Sequence, residues 1–383
     1  MLFHTRFLLP AAVITIRSAE AGIKERGTTP FISRKSAGKT IVKRASGKSI
    51  DAAETECYPM TNMIHQPLDF EKPIFELEKK IEEFRQLSSS EGIDLSDEIS
   101  RLEKKVKKLR EETFSNLNAW KIIQLSRHPE RPYTYDYIYL ISNEFIEIHG
   151  DRRFKDDPAL VAGIGLIDKH RVVFIGEQKG RGAKDRALRN FGMPHPEGYR
   201  KAMRAMDLAQ KFGLPIITFI DTPGAYPGIG AEERGQAEAI SASILKLASL
   251  PVPVIGCIIG EGSSGGALAI GLVDKMLMLE YAVYSVISPE GCASILWKDQ
   301  SKAPLAAEAL KLTSYELNKA GIADTLLKEP PGGAHNDSKL MAQTIKDALL
   351  NALEELNAIP PDELVKNRYA RYRTIGQFRE AAE

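Results

Sequence analysis

Alternation between apolar runs and segments with helical spacing constrains this chain more than any other feature. Apolar runs predict strands at 215–221, 252–260, 275–279 and 284–287. Segments typical of helices lie between and after them, at 198–212, 232–250, 264–272, and from Glu290 and Ala303. Apolar runs of this kind are typical of parallel strands buried on both faces. The pattern predicts an α/β fold with helices covering a largely parallel sheet, entered through strand-like runs at 160–167 and 172–176.

Two of the predicted strands end in glycine-rich turns that lead into helices. These turns are 221–228, with sequence DTPGAYPG, and 260–267, with sequence GEGSSGGA. A helix N-terminus carries unsatisfied N–H groups and partial positive charge, and glycine lets an anion approach closely. Both turns could therefore hold an anion or a developing oxyanion, although tight packing alone would also favour small residues. Neither turn has the GxGxxG spacing of a dinucleotide fold.

The second turn also matches a nucleophile elbow. Residues 262–266 satisfy GxSxG, and Ser264 follows a predicted strand and opens a predicted helix. Asp274 or Asp299, and then His335, come in the chain order of an α/β-hydrolase triad. A pentapeptide of glycine and serine matches easily by chance, so a serine hydrolase stands as the alternative hypothesis.

A basic segment follows the predicted strand at 172–176. Lys179, Arg181, Lys184, Arg186 and Arg189 are opposed only by Asp185. Such a segment can bind phosphates or a carboxylate, or can form a solvated face. Its place at the carboxyl end of a strand favours contact with a ligand, with Lys179 and Arg181 as the candidates.

Composition argues against several other classes of protein. The chain has 383 residues with 52 Lys and Arg against 51 Asp and Glu, so bulk charge cannot drive binding to nucleic acid. The three cysteines form no CxxC pair and have no histidine at zinc-ligand spacing, so neither a disulfide framework nor a metal site is expected. The longest apolar stretch is about ten residues, and a spanning helix needs roughly 20.

The ends of the chain differ from its middle. Residues 1–62 are basic and rich in Ser and Thr, and are expected to be an unstructured extension, a targeting segment or part of an over-long reading frame. Two apolar stripes predict a helical hairpin of coiled-coil type over 68–118, a docking or dimerisation arm. The main domain is expected over 119–330, and a C-terminal helix with a basic tail over 331–383. A non-catalytic scaffold that uses the hairpin is a further alternative.

Several long motifs resemble one family. They are 221–236 (DTPGAYPGIGAEERGQ), 260–271, 286–298 (VISPEGCASILWK), 190–194 with 196–202, and 131–134 (RPYT). Together they resemble the α subunits of the bacterial acetyl-CoA carboxylase carboxyltransferase, from about Leu68 to Arg373. The resemblance implies a crotonase-like (ClpP/crotonase) superhelical fold. It also implies transfer of a carboxyl group from carboxybiotin to acetyl-CoA, which forms malonyl-CoA in the first committed step of fatty-acid synthesis.

The resemblance also implies partners. Biotin arrives on the biotin carboxyl carrier protein, and biotin carboxylase performs the ATP-dependent step. A β subunit with a four-cysteine zinc ribbon completes an α2β2 assembly, without which this chain is expected to be inactive. A cytoplasmic location is expected, or a plastid one if residues 1–60 are a transit peptide. Nucleic acid and a membrane span are not expected.

Alignment with the family suggests the site residues. Gly265 and Gly266 are expected to form an oxyanion hole of backbone amides for the ureido oxygen of biotin. Gly224, Ala225, Tyr226, Gly228 and Ala267 are expected to shape the carboxybiotin pocket. The hole for the thioester enolate is expected in the partner subunit. Because the biotin anion can itself act as the base, such a site needs neither a histidine nor a carboxylate dyad.

Overall fold

The computed structural model describes residues 67–376. The N-terminal extension predicted above lies outside the described residues, as do residues 377–383. The first helices are α1 (Lys72–Glu91), α2 (Ser96–Ser115), α3 (Ala119–Ser126), α4 (Thr134–Ile141), α5 (Gly182–Leu188), α6 (Pro196–Phe212) and α7 (Ile229–Glu233). They are followed by α8 (Gln236–Ser249), α9 (Ser264–Gly271), α10 (Pro289–Trp297), α11 (Ala303–Leu310), α12 (Ser314–Lys319), α13 (Ser338–Asn357) and α14 (Pro361–Thr374).

The strands form one sheet. They are β1 (Glu144–Glu147), β2 (Leu160–Ile167), β3 (His170–Glu177), β4 (Ile216–Thr222), β5 (Val254–Ser263), β6 (Lys275–Leu279), β7 (Val283–Ser285) and β8 (Thr325–Leu327). The order is β1-β2-β3-β4-β5-β6-β8, with β7 beside the far end of β5. β1, β2 and β3 pair antiparallel, whereas the pairs from β3 to β8 are parallel. The predicted strand hairpin and parallel sheet are both confirmed.

Helices cover the sheet because its central strands are apolar on both faces. Every residue of β4 and β5 is buried, which is typical of parallel strands between two helical layers. α6 begins at Pro196, whose missing N–H costs nothing in a first turn, and ends at Gly213 with a left-handed φ of 63°. Its buried face includes Tyr199, Ala202 and Met206 and packs into the main core.

The two predicted helical stripes form α1 and α2, which pack antiparallel. Gly92, at φ 66°, ends α1 and allows the chain to reverse. The helices share a small apolar core that includes Ile81 and Val106. An ion pair of 2.7 Å joins Arg85 of α1 to Glu103 of α2.

The structure corrects three sequence expectations. The helix predicted over 232–250 is two helices, because Gly235 adopts a left-handed φ of 80° between α7 and α8. β5 continues through the predicted glycine turn to Ser263, because its last residues pair with β7. The expected basic tail is helical in α14, and the side chain of Arg368 there is only 1% exposed.

Residues 67–376 contain no helix long and apolar enough to cross a membrane.

Candidate functional site

The two glycine-rich turns meet at the carboxyl edge of the sheet. β4 and β5 are parallel neighbours, so the segments that follow them emerge on the same side. A Cβ added to Gly266 would lie 2.6 Å from the carbonyl carbon of Gly224 and 2.7 Å from the amide nitrogen of Ala225. Only hydrogen fits in that gap. The structure thus brings Gly224, Ala225 and Gly266, all predicted site residues, into one place.

The second turn presents free amides at the start of α9. In an α-helix the first N–H groups have no acceptor within the helix. In α9, which begins at Ser264, these include the amides of Gly265 and Gly266, whereas the amide of Ala267 is the first with an acceptor one turn back. Gly266 is buried, Gly265 is half-buried and Ser264 is exposed. Such a turn can hold an oxygen atom that carries negative charge.

Gly265 and Gly266 are glycine for different reasons. A Cβ on Gly265 would meet only the side chain of Ile240, at 3.5 Å, which is an ordinary contact. A Cβ on Gly266 would strike the backbone of the neighbouring turn. Packing therefore requires glycine at 266, while position 265 has room for a small side chain.

The first turn is held by hydrogen bonds on both sides. The N–H of Gly224 donates to Thr222 Oγ1 at 3.0 Å, and the N–H of Tyr226 donates to the carbonyl of Pro194 at 3.1 Å. The side-chain amide of Gln236 donates to the carbonyls of Pro194 and Tyr226, at 2.9 and 3.0 Å. A Cβ on Gly228 would lie 2.3 Å from the Tyr226 ring. Tyr226 therefore has a fixed backbone and lies against the end of its own turn.

His195 is a residue of this site that the sequence interpretation missed. Its ring lies 4.2 Å from the Tyr226 ring, centroid to centroid, at an interplanar angle of 39°. Its Nδ1 lies 3.3 Å from Nη2 of Arg234. The position of His195 directly before α6 was the available signal, but 31 residues separate it from Tyr226 in the sequence.

Lys179, which the sequence predicts to bind a ligand, forms ion pairs within the protein. Its Nζ lies 2.7 Å from Asp221 Oδ1 and 3.7 Å from Glu261 Oε2, and its side chain is 15% exposed. Burial of the ammonium acts to lower the pKa of Lys179, but the two carboxylates outweigh this effect and the pKa is raised. Lys179 therefore stays charged and ties β4 to β5 where the two turns begin.

Arg181 is engaged in the same way. It forms an ion pair of 2.5 Å with Asp136 and donates to the carbonyls of Pro129 and Arg131. Its guanidinium lies over the ring of Tyr133, 4.5 Å from the centroid. These contacts leave ligand binding by Lys179 and Arg181 as a prediction that the geometry does not favour.

The hydrolase triad is not assembled. The Asp274 carboxylate accepts two hydrogen bonds from Arg368, at 2.8 and 2.7 Å. Asp299 instead caps a short 3-10 turn by accepting the N–H of Ser301 at 3.0 Å. The ring of His335 stacks on that of His128, with centroids 4.1 Å apart. The acid and base that the hydrolase hypothesis needs for Ser264 are thus used elsewhere, and that hypothesis is wrong.

One group of side chains has the composition of a metal site. Glu71, His128 and His335 place ligand atoms within 4.8 Å of one another. However, His128 Nδ1 accepts the N–H of Glu130 at 3.2 Å, so the proton of the neutral ring lies on Nε2. That nitrogen then faces Glu71 as a donor, 3.8 Å away, and offers no lone pair to a cation. The group is better described as a polar contact that ties the start of α1 to the main domain.

Comparison with known proteins identifies relatives along the whole described chain. A model of the family "Acetyl co-enzyme A carboxylase carboxyltransferase-like" matches residues 67–376. The acetyl-coenzyme A carboxylase carboxyl transferase subunit alpha of Methylococcus capsulatus is 56% identical over 315 residues, covering 82% of this chain and 98% of that protein. The protein of the same name from Thermus thermophilus is 53% identical over 314 residues, covering 82% and 99%.

Solved structures support the fold. A Pseudomonas malonate decarboxylase hetero-tetramer in complex with coenzyme A contains a chain that superposes with a TM-score of 0.51. The match covers 62% of this chain and 95% of that one, at 16% sequence identity. The predicted crotonase-like α/β fold is confirmed.

Proposed function

This chain belongs to the family of acetyl-CoA carboxylase carboxyltransferase α subunits, and we propose that the paired turns after β4 and β5 hold its carboxybiotin. The protein is a carboxyltransferase subunit, and the reaction of its family is carboxyl transfer to acetyl-CoA, which yields malonyl-CoA. When bound, carboxybiotin would supply the carboxyl group, and negative charge would develop on its ureido oxygen. The observation that carries the proposal is the contact between Gly224 and Gly266.

The amides of Gly265 and Gly266 form the proposed oxyanion hole. Two consecutive N–H groups in the first turn of α9 are suited to one oxygen that becomes negative during the reaction. Fixed donors of this kind need no rearrangement as charge develops, and each contributes about 3 to 4 kcal/mol to the transition state. Gly224, Ala225, Tyr226 and Gly228 form the opposite wall, with Ala267 behind the turn. This assignment uses no ionisable side chain in the hole.

An α subunit implies a β subunit, and the surface near the site is suited to one. Large apolar side chains are exposed directly after the first turn, after β7 and in α10: Ile229 is 80% exposed, Val286 76% and Ile295 71%. A patch of exposed large apolar side chains marks a protein contact. We propose that the β subunit covers this surface in an α2β2 assembly and supplies the zinc ribbon and the second oxyanion hole.

The remaining partners and the location follow from the same family. We propose that the biotin carboxyl carrier protein delivers the cofactor and that biotin carboxylase charges it. The substrate is acetyl-CoA, and the reaction takes place in the cytoplasm, or in a plastid if residues 1–60 are a transit peptide. We keep the division into a hairpin (68–118), a main domain (119–330) and a C-terminal part (331–383) as a proposal.

The test is reconstitution. The purified chain, a β subunit of this family and carboxylated carrier protein are mixed with acetyl-CoA, and malonyl-CoA is measured by mass. We expect product only when both subunits are present. Full activity of this chain alone would contradict the half-site, and an inactive complex that assembles normally would favour the scaffold hypothesis.

A further inference from the structure

His195 lies on the proposed carboxybiotin pocket and has no role in the reaction described so far. It faces Tyr226 at 4.2 Å and is half-buried. Its backbone N–H donates to Asp157 Oδ2 at 2.7 Å, and Pro196 opens α6 directly after it. The backbone on both sides of the imidazole is therefore fixed, and the ring is held against the first glycine turn.

The contact with Arg234 sets the tautomer of His195. A guanidinium can only donate, so the Nδ1 atom that lies 3.3 Å from Arg234 Nη2 accepts. The single proton of the neutral imidazole is then on Nε2. Arg234 is itself fixed by Glu197, with Nε to Oε1 at 2.5 Å, and by the ring of Phe154, 4.7 Å from its guanidinium carbon. The arrangement orients an Nε2–H donor.

The charges around the ring keep it neutral. Burial is the main cause that lowers the pKa of His195, and the positive charges of Lys155 and Arg234 lower it further. Glu197 alone acts in the opposite direction. The Asp157 side chain accepts the backbone N–H of His195, and burial raises the pKa of that carboxyl to about 6. Asp157 therefore titrates in a nearby pH range, and it is still present in the His195 variants. At neutral pH His195 therefore offers a donor without a net charge.

We propose that His195 binds carboxybiotin by donating its Nε2–H to an oxygen of the carboxylated urea, next to the Tyr226 ring. This inference rests on the proposed function of the two turns. A carboxylated urea presents oxygen acceptors on a flat ring, and the pair of Tyr226 and His195 offers an aromatic surface with one donor at its edge. A neutral donor holds the carboxylate without competing with the amides of α9 for the developing charge. His195 then contributes to binding of the biotin substrate and not to binding of CoA.

The experiment measures both substrates separately in the complete α and β complex. Carboxylated carrier protein is the carboxyl donor and acetyl-CoA the acceptor, and malonyl-CoA formation is followed at several concentrations of each. We expect His195→Ala to raise KM for the carboxylated carrier protein about tenfold, the effect of one lost hydrogen bond, with KM for acetyl-CoA unchanged. His195→Gln should restore most of the affinity, because its amide keeps a donor and an acceptor. His170→Ala is the matched control. His170 is the first residue of β3 and lies at the edge of the sheet opposite to the two turns, so this change should have no effect.

The pH profile supplies a readout that a structural role would not give. Protonated Nδ1 of His195 can no longer accept from Arg234, so the ring loses the contact that orients its Nε2–H. In the natural protein, KM for the carboxylated carrier protein should therefore rise as pH falls through the lowered pKa of this histidine. His195→Gln should lose that rise. If His195→Ala changed KM for both substrates equally, or changed neither KM, the inference would be overturned, provided that the variant complex unfolds at its normal temperature. A natural complex that makes no malonyl-CoA at all would instead overturn the proposed function.

Discussion

Removal of a single amide hydrogen at position 265 tests the oxyanion hole directly. Gly265→Pro deletes the N–H, whereas Gly265→Ala keeps it and adds one methyl group. The structure makes the pair well matched, because a Cβ at this position meets only Ile240, at 3.5 Å. Position 265 is the second residue of α9, where the N–H has no acceptor within the helix, but the left-handed φ of 58° at Ser264 opposes a proline that follows it.

The expected loss follows from the number of donors. One of two proposed donors is removed, and one lost oxyanion donor costs about 3 to 4 kcal/mol of transition-state stabilisation. That energy corresponds to a decrease in kcat of roughly 10²- to 10³-fold. Gly265→Ala should retain kcat within about threefold. Because alanine is also the better helix former, it should raise the free energy of unfolding by about 0.4 to 1 kcal/mol.

The assay is malonyl-CoA formation by the reconstituted complex, with β-subunit binding and thermal unfolding measured on the same samples. The reasoning requires that proline abolish turnover in protein that still folds and binds its partner. If Gly265→Pro kept the kcat of Gly265→Ala, the amide at 265 would not be a donor. A hundredfold loss of kcat in Gly265→Ala, which keeps the N–H, would instead contradict the room that the structure shows for a methyl group at this position.

Four further changes have outcomes that the structure predicts, each measured by chemical denaturation unless stated. Gly266→Ala forces its methyl group against the first turn and should cost about 1 to 3 kcal/mol of unfolding free energy, with loss of kcat. Arg368→Met leaves a buried carboxylate unpaired and should cost about 3 to 5 kcal/mol. Asp156→Asn breaks the ion pair with the fully buried Lys201. Burial acts to raise the pKa of Asp156, but Lys201 outweighs it and lowers the pKa to about 2. The natural protein should therefore lose about 1 to 2 kcal/mol as pH falls from about 4 towards 2, and the variant should lack that loss. Ser264→Gly relieves a left-handed φ of 58° and should stabilise the protein by about 1 kcal/mol, with kcat retained. In the natural protein, a fluorophosphonate should not label Ser264.

Elements governed by local pattern could be predicted from the sequence. The strands at 160–167 and 275–279 were predicted with the bounds that the structure has, because continuous apolar runs bounded by turn residues leave little choice. The end of β5 could not be predicted, since its glycines resemble a turn. Its last three residues are strand because β7 pairs with them from 22 residues further on, and because Thr222 of β4 pairs with Gly262.

The site was predicted in part for the same reason. The two turns were identifiable because glycine-rich segments after buried strands are local features, and the sheet order then brings Gly224 and Gly266 together. His195 and Arg368 could not be identified locally. Their roles depend on partners that are distant in sequence, Tyr226 and Arg234 for His195 and Asp274 for Arg368. A charged residue in a basic segment, such as Lys179, looks the same whether it binds a ligand or a buried carboxylate.

The ionic groups below the turns explain how a site of amides can work in a charged neighbourhood. Lys179 bridges Asp221 and Glu261, and Arg127 binds Glu261 and Glu290 at 2.6 Å each. Two cations therefore share three carboxylates, and both cations are already paired inside the protein. A free lysine in that place would bind an anion before and after transfer alike, which lowers KM without raising kcat. Amide dipoles at the start of α9 act over a short range, so they favour the oxygen only where and when its charge appears. Because Lys179 is paired internally, the glycine amides and not a lysine are left to stabilise the developing charge.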